Sequence, residues 1–389
     1  MRTLLPLLAA IAVLATATQP AAAAENPTWS PPLTSGSGVG VAVQDGVARI
    51  DKRTAFRAPR EDGAAEGTPD TAVPTGLLTL DPHRLASPTN RVGARVTARL
   101  SEGATAGVDV RGLRAGGSWS EWIPADDGVA VLPEPVIDIQ ARLVLTGDPG
   151  PVATGITLAA LASAAAEGAR AEGAPLRYQL YATREGLVGG TTANGHVIAP
   201  HDRFVALPSR RALSSNGKSD YSVRICAPNG RCAFAPVWDV GPWNIRDDYW
   251  NANREQWGDL PQGTPQAQVA FRNGYNGGKD GFGRKVANPA GIDLADGTFW
   301  DDLGLINNTM VTVDYLWTGS TQLAKVADTA PVLAAPAADA DVVGTAAHTA
   351  SVPVECTTGD WLRIGARQYL PAAAVVDIGP VRPCAPVAS

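Results

Sequence analysis

The chain has 389 residues, a formal net charge of −6, and 45% hydrophobic against 18% charged residues. This length predicts more than one domain, because single hydrophobic cores stop growing at about 250–300 residues. The acidic balance is not broken by any run rich in Lys and Arg. The composition therefore argues against a surface that follows the phosphates of a nucleic acid.

The N-terminus has the pattern of a secretory signal. Arg2 precedes a short apolar run, and small residues follow up to Ala22-Ala23-Ala24. The apolar run is too short to span a bilayer comfortably, and small rather than basic residues follow it. We therefore expect residues 1–24 to be removed and the mature protein to be secreted or held in the cell wall, without a membrane segment. An acidic exported protein suits a neutral or mixed-charge glycan better than a nucleic acid.

Four cysteines fit an oxidising compartment. Cys226 and Cys232 enclose Asn229-Gly230, a dipeptide typical of hairpin turns, so we expect these two cysteines to pair. Cys356 and Cys384 remain for a second disulfide. Neither pair has the spacing of zinc ligands, and no metal or other cofactor is expected.

Composition marks the segments on either side of an N-terminal domain. Residues 25–75 are rich in Pro, Gly, Asp and Ala without a sustained period, and we expect them to be extended or disordered. The Ala-rich residues 159–175 are predicted to be a linker. A second linker is predicted over residues 319–341, where Ala, Pro, Asp and Val recur.

Residues 76–158 carry the alternation of half-buried strands. Apolar residues occupy every second position in Val92–Leu100 and again in Ile137–Leu145. Several such strands separated by Gly and Pro turns predict a small β-sandwich. Trp119 and Trp122 are three residues apart, so on a strand they point to opposite faces. One is expected in the core, and the other either packs as well or stacks on a sugar.

The C-terminal residues 342–389 also contain short strand patterns. The run from Trp361 to Val375, WLRIGARQYLPAAAV, resembles the last strands of small bacterial Src-homology-type barrels. The resemblance implies a module that binds wall peptides. A stabilising appendage is the equal alternative.

The central residues 176–318 contain four short motifs in order: Thr192-Ala-Asn-Gly195, Leu207-Pro208, Asp239-Val-Gly-Pro242 and Ile292-Asp-Leu294. This order resembles the rare-lipoprotein-A family and its relatives among barwin proteins, expansins and barrel-type endoglucanases. The resemblance implies an all-β chain whose centre is a six-stranded double-psi β-barrel with a substrate groove across one face. Two features depart from the family: a histidine, His196, follows the glycine where an acid is usual, and residues 243–289 form a long insertion.

The resemblance brings Asp239 and Asp293 together as candidate catalytic residues. Cleaving a glycosidic bond requires a carboxylic acid that stays protonated near neutral pH, which burial or a second carboxylate favours. Asp293 is expected to be the general acid and base, and Asp239 to tune it or to position a hydroxyl or water. The alternatives are structural: Asp293 could cap the helix that follows it, and Asp239 could hold its own turn.

The insertion is rich in aromatic residues interleaved with Asn and Gly. Aromatic faces stack on sugar rings, so the insertion predicts a glycan-lining lobe; the alternative is a loop that packs its aromatics as a small core of its own. The histidines near the first motif are added as binding candidates, although surface polar residues rather than metal ligands are expected there. The candidate substrate-binding residues are Trp243, Trp250, Trp257, Tyr275, Tyr178, Tyr181, His196 and His201.

Together these patterns predict a secreted protein whose partner is a cell-wall glycan, peptidoglycan or a related polysaccharide. The expected activity is glycan cleavage of the lytic-transglycosylase type by an Asp acid and base. The alternative is an expansin-like protein that binds or loosens wall polymers without cleaving them. Neither nucleic acid nor membrane is expected as a partner, and the sequence does not indicate an oligomeric state.

Overall fold

The computed structural model of the protein describes residues 27–57, 73–163 and 173–385. The expected signal peptide, residues 1–24, and the middle of the expected linker at 159–175 lie outside these ranges. The fold of the described residues is all-β, as the sequence predicts. None of their helices has both the length and the apolar character needed to cross a membrane.

Ten strands build the N-terminal sheet. They are β1 (Thr28–Trp29), β2 (Ser37–Val39), β3 (Val41–Gln44), β4 (Val47–Ile50), β5 (Thr75–Thr79), β6 (His83–Arg99), β7 (Thr105–Gly112), β8 (Ile123–Pro124), β9 (Val129–Thr146) and β10 (Val152–Ala160). The order across the sheet is β2-β5-β9-β6-β10-β4-β3, with β1 beside β10 and with β7 pairing both β8 and β9. The long strands β6 and β9 carry apolar residues at alternate positions into one core.

The expectation that residues 25–75 are extended or disordered is wrong for the part that the structure describes. Strands β3 and β4 form a hairpin around Asp45-Gly46, whose φ angles of 51° and 72° suit the tight turn that Asp-Gly dipeptides favour. Ala48 is fully buried in the N-terminal core, and Val41 packs against it. The alternation of apolar residues along these short strands, rather than the overall composition of the segment, determines their structure.

Six strands close into the central barrel. They are β11 (Leu176–Arg184), β12 (Val205–Leu207), β13 (Ser222–Cys226), β14 (Cys232–Val240), β15 (Ala290–Leu294) and β16 (Thr309–Tyr315). The order is β12-β15-β11-β16-β13-β14, and pairing of β14 with β12 closes the ring. Two pairs are parallel, β11 with β15 and β12 with β14; the other four are antiparallel. The predicted closed six-stranded barrel is therefore confirmed.

The insertion at 243–289 packs against the barrel, with Tyr249 and Trp250 buried in the barrel core. It contains the only α-helix of the described residues, α1 (Gln266–Asn273), followed by a 3-10 turn over Tyr275–Gly278. Trp243 packs with two alanines of α1 and with Val286 in a small core of its own. The other short helical segments are 3-10 turns at Leu33–Ser35, Asp126–Gly128, Arg210–Ala212, Leu316–Thr318 and Ala372–Ala374, and a π-helical turn at Gly297–Asp302.

Eight strands form the C-terminal module. They are β17 (Leu323–Val326), β18 (Ala330–Leu333), β19 (Val342–Ala346), β20 (Ser351–Pro353), β21 (Cys356–Thr358), β22 (Trp361–Gly365), β23 (Gln368–Pro371) and β24 (Val375–Val376). Strand β19 pairs with β14 in parallel, so the barrel sheet continues through β19-β18-β23-β22-β21, while β20, β17 and β24 form a second sheet. The expected linker at 319–341 is wrong, because β17 and β18 lie within it and Val326 and Val332 are fully buried in this module's core.

Both predicted disulfides are present. The Cys226 and Cys232 sulfurs are 2.07 Å apart and cross-link the β13–β14 hairpin; those of Cys356 and Cys384 are 2.02 Å apart. The second disulfide ties the end of the described chain to β21.

The N-terminal sheet docks on the barrel through Glu121 and Trp122. The indole N–H groups of Trp250 and Trp317 both donate to Oε1 of Glu121, each at 2.8 Å. Oε2 of Glu121 lies 3.5 Å from the guanidinium of Arg211. Trp122 is buried in the barrel core itself. Trp119 is half-buried beneath the Arg111 guanidinium, 4.5 Å from its ring centre, so it packs rather than offering a sugar platform.

Replacing Glu121 with Ala is expected to destabilise the folded protein strongly. The change leaves the buried Arg211 without one of its carboxylates and two buried indole N–H groups without an acceptor, which costs about 3–5 kcal/mol. Urea unfolding followed by tryptophan fluorescence measures the loss. The exposed Glu102→Ala is the control and should change the free energy of unfolding by less than about 0.5 kcal/mol. A similarly small loss for Glu121→Ala would contradict this account of the interface.

Candidate functional site

A row of polar side chains crosses the outer face of the barrel. Alternate residues of β11, β12 and β15, such as Ala182, Leu207 and Ile292, fill the barrel interior. The intervening residues point outward, and the register aligns Thr183 with Asp293, Asp293 with Ala206, and Ala206 with Asp239. Asp239 and Asp293 thus flank Ala206 on one face, with their Cα atoms two strand spacings, or about 10 Å, apart. The structure brings together the two carboxylates that the sequence singled out.

Asp239 is held by two amides and a second carboxyl group. Its Oδ1 accepts hydrogen bonds from the backbone N–H of Ala193 and of Val240, both at 2.7 Å. The side chain of Glu185 lies near that of Asp239 and acts to lower the pKa of Asp239. Burial raises the pKa of Asp239, and this effect outweighs the hydrogen bonds from Glu185 and the two amides.

Asp239 therefore does hold its own turn, as the structural alternative predicted, but it also makes contacts outside that turn. The bond to the Val240 amide stabilises the start of its own turn. The bond to Ala193 ties the Thr192-Ala-Asn-Gly195 loop to the end of β14. Neither structural bond explains the neighbouring Glu185 carboxyl group, which also acts on the pKa of Asp239.

Asp293 has a different environment. It lies within β15 and is 7% exposed, and the hydroxyl of Thr183 on the neighbouring strand donates to its Oδ1. The helical turn that follows begins after Asp296, so Asp293 does not cap it. The Thr183 bond fixes the carboxylate on the outer face beside Ala206.

An aromatic wall flanks the row of carboxyl groups. Phe204 and Trp238 pack with Ile198 and Ala295 on the same outer face. The His196 ring lies 4.8 Å from the Trp238 ring, and its Nε2 is 2.6 Å from Oδ2 of Asp202. His196 therefore sits at the wall, whereas the exposed His201 pairs with Asp301 on the π-helical turn at 2.9 Å. Within the part of the chain that the structure describes, three or more metal-ligating side chains do not gather at any point.

The prediction that the insertion lines a glycan groove is wrong for two of its tryptophans. Trp243 is 1% exposed and Trp250 is fully buried, so neither offers a ring face to a ligand. Trp250 stacks on Tyr315 in the barrel core, with ring centres 5.3 Å apart. Trp257 and Tyr275 are half-buried and pack edge-to-face against each other. Trp243 follows the alternative interpretation, a loop that packs its own aromatics, whereas Trp250 belongs to the barrel core.

The two tyrosines of β11 have different positions. Tyr178 packs against the barrel core and against Gly263, where a Cβ atom would come within 2.3 Å of its ring. Gly263 also has a φ of 83°, so this close approach requires glycine. Tyr181 is half-buried and lies two residues before Thr183, which places its side chain on the outer face with the carboxyl groups. Only Tyr181 of this pair is placed to border the site.

Glu185 is the site residue that sequence reasoning missed. It follows directly after β11, is 7% exposed, and donates its backbone N–H to the carbonyl of Leu294. Its alternation with Tyr181 and Thr183 places it on the outer face, and this period-two pattern was the available signal. Its proximity to Asp239 depends on the pairing of strands that are distant in sequence, which no local pattern reveals.

Comparison with known proteins gives the bounds of a domain but does not indicate an activity. Residues 176–314 match a family described as a domain of unknown function (DUF8814). This range begins with β11 and ends one residue before β16 does, so the matched unit is the closed barrel together with its insertion. No curated protein matches the chain significantly.

The raised pKa of Asp239 predicts how stability changes with pH. The folded protein keeps this proton at pH values above 3.8, where the unfolded chain has lost it, so stability falls as pH rises from about 4 through the raised pKa. Each unit of difference between the two pKa values corresponds to about 1.4 kcal/mol. As pH rises from 4 to 7, Asp239→Asn should therefore lose less stability than wild type, as measured by thermal unfolding. The exposed Asp45→Asn serves as control, and an Asp239→Asn curve parallel to wild type would disprove the shift.

Proposed function

We propose that the outer face of the barrel cleaves a cell-wall glycan, with the Glu185–Asp239 pair as the proton donor. The observation that carries this proposal is the position of Asp239, which lies on the outer face in line with Ala206 and Asp293 and whose pKa is raised by burial. Glu185 is 7% exposed, whereas Asp239 on the outer face is only partly buried. Paired carboxyl groups with separated pKa values are the usual acid catalysts of glycosidic bonds.

The geometry favours an exchange of the two roles that the sequence predicts. Asp239 with Glu185 holds the proton that the leaving oxygen must receive, while Asp293 receives a hydrogen bond from Thr183. As the carbon–oxygen bond breaks, Asp293 would lie on the same face to stabilise the positive charge that develops on the sugar. The deprotonated pair then accepts the proton of the attacking hydroxyl. If that hydroxyl belongs to the sugar itself, the product is an anhydro sugar; if it belongs to water, the product is a reducing end.

Several features support the assignment to the rare-lipoprotein-A type of barrel. The four motifs meet at one edge of the site: Asp239 contacts the Thr192–Gly195 loop, and Asp293 and Asp239 flank β12, which ends at Leu207. The two parallel strand pairs are compatible with a double-psi connection. Two disulfides are compatible with an exported protein.

The expansin-like alternative requires exposed aromatic faces along a groove. Trp243 and Trp250 are buried, and Trp300, 43% exposed, has the guanidinium of Arg184 over its ring at 4.7 Å. The described residues therefore favour cleavage over binding through a flat aromatic platform.

Incubation of the protein with purified cell-wall sacculi tests the proposal. Wild type should release soluble fragments, with anhydro ends if it is a transglycosylase and reducing ends if it is a hydrolase. Glu185→Gln and Asp239→Asn should each lower the rate by at least about 100-fold, because the amide keeps the shape but cannot hold the shared proton. Asp293→Asn should lower the rate without shifting its dependence on pH.

Asp301→Asn is the matched control, since Asp301 is an exposed carboxylate on the neighbouring helical turn, paired with His201. Its rate should stay within about twofold of wild type, as a change outside the site predicts. Sacculi that bind the protein without releasing any fragment would support the expansin-like alternative. A normal rate for both Glu185→Gln and Asp239→Asn would overturn the proposed acid.

A further inference from the structure

A strip of four arginines lies on the outer face of the N-terminal sheet, in a module to which the cleavage proposal assigns no role. On β6 the residues from Val92 to Ala98 at even positions face the core. Arg91, Arg95 and Arg99 occupy the opposite face, and Arg49 of β4 joins them. Val131 of β9 pairs with Arg91 and is 52% exposed, which shows that this face is open to solvent.

The register sets the spacing of the guanidinium groups. Arg91, Arg95 and Arg99 recur every four residues on one strand, or about every 13 Å. Arg99 and Arg49 both pair with Val152 from opposite sides, so their Cα atoms are about 10 Å apart across the sheet. Thr157 lies beside Arg95 and adds a hydroxyl to the strip. The cations therefore form an extended track rather than a compact pocket.

These four cations are not neutralised by ion pairs within residues 27–57, 73–163 and 173–385. The nearest acidic residues along the chain are Asp51, which pairs with Arg53, and Glu102, which lies in the turn after β6. Arg84 provides a contrast on the same strand, because its guanidinium bonds Asp138 at 2.9 Å. In a chain of net charge −6, four unpaired arginines on one sheet face form a local positive surface.

We infer that this strip binds an extended phosphodiester polymer of the cell wall. Guanidinium groups recognise phosphate through charge and paired N–H donors, and a track of single cations suits a flexible chain with one phosphate per repeat. The choice of a wall polymer over a nucleic acid rests on the proposed export of the protein. The strip would hold the barrel at the wall while the carboxyl site acts on the glycan.

Fluorescence anisotropy with a labelled poly(glycerol phosphate) oligomer tests this inference without reference to cleavage. Wild type should bind, and its affinity should fall by about 20- to 50-fold between 50 and 200 mM salt if three or four phosphates are contacted. The double variant Arg95→Gln/Arg99→Gln should bind at least about tenfold more weakly at 50 mM salt and show a shallower salt dependence.

Arg84→Gln is the matched control, with the same change of charge on the same strand but a partnered cation. Its affinity should stay within about twofold of wild type. An equal loss for Arg84→Gln, binding that ignores salt, or no binding by wild type would each overturn the inference. Tighter binding of a single-stranded oligonucleotide of equal charge would overturn the assignment to a wall polymer. None of these outcomes depends on whether sacculi are cleaved.

Discussion

Glu121 carries a negative charge from the N-terminal sheet into the side of the barrel, where two indole N–H groups, an Asn251 amide and the Arg211 guanidinium surround it. A buried carboxylate is costly unless its lone pairs are occupied, and here nearly all the donors come from the barrel. Separating the two units would expose Trp122 and leave the two indole N–H groups without this acceptor, while Arg211 and Asn251 would keep only Asp248. The N-terminal sheet and the barrel therefore form one structural unit, although composition suggests separate modules.

This unit positions the carboxyl site. Ala193 and Val240, whose amides hold Asp239, turn their side chains toward Leu77 and Val144 of the N-terminal sheet. At Gly195, a Cβ atom would lie 3.1 Å from the side chain of Val39, so β2 closes against the same loop. A cavity of about 370 Å³ remains beside this contact, between the sheet and the barrel. The N-terminal sheet thus supports the loop from behind, and the amides that orient Asp239 depend on that support.

Sequence patterns correctly predicted the features of the structure that depend on short stretches of sequence. Alternation gave the barrel strands, Asn229-Gly230 gave the first disulfide, and the order of four motifs brought Asp239 and Asp293 to one face. The burial of Trp250 could not be predicted in the same way, because an indole with a polar N–H suits a ligand surface and a core equally well until its partner, Glu121, is placed. The alternation of β6 shows three of the four arginines on one face, but the position of Arg49 beside them follows only from the pairing of β4 and β6 with β10.

The position of Asp239 shows why the site itself required the structure. Residues 233, 235 and 237 point into the barrel, so an undisturbed β14 would point Asp239 there too. The interior of a six-stranded barrel is filled by side chains, and a carboxylate in it would have to be neutralised or paired. The pairing of β12 with β14 shifts by one residue between Val205 and Ala206, and the shift turns Asp239 to the outer face. That single extra residue places Asp239 on the outer face in line with Ala206 and Asp293, where burial raises the pKa of its carboxyl group.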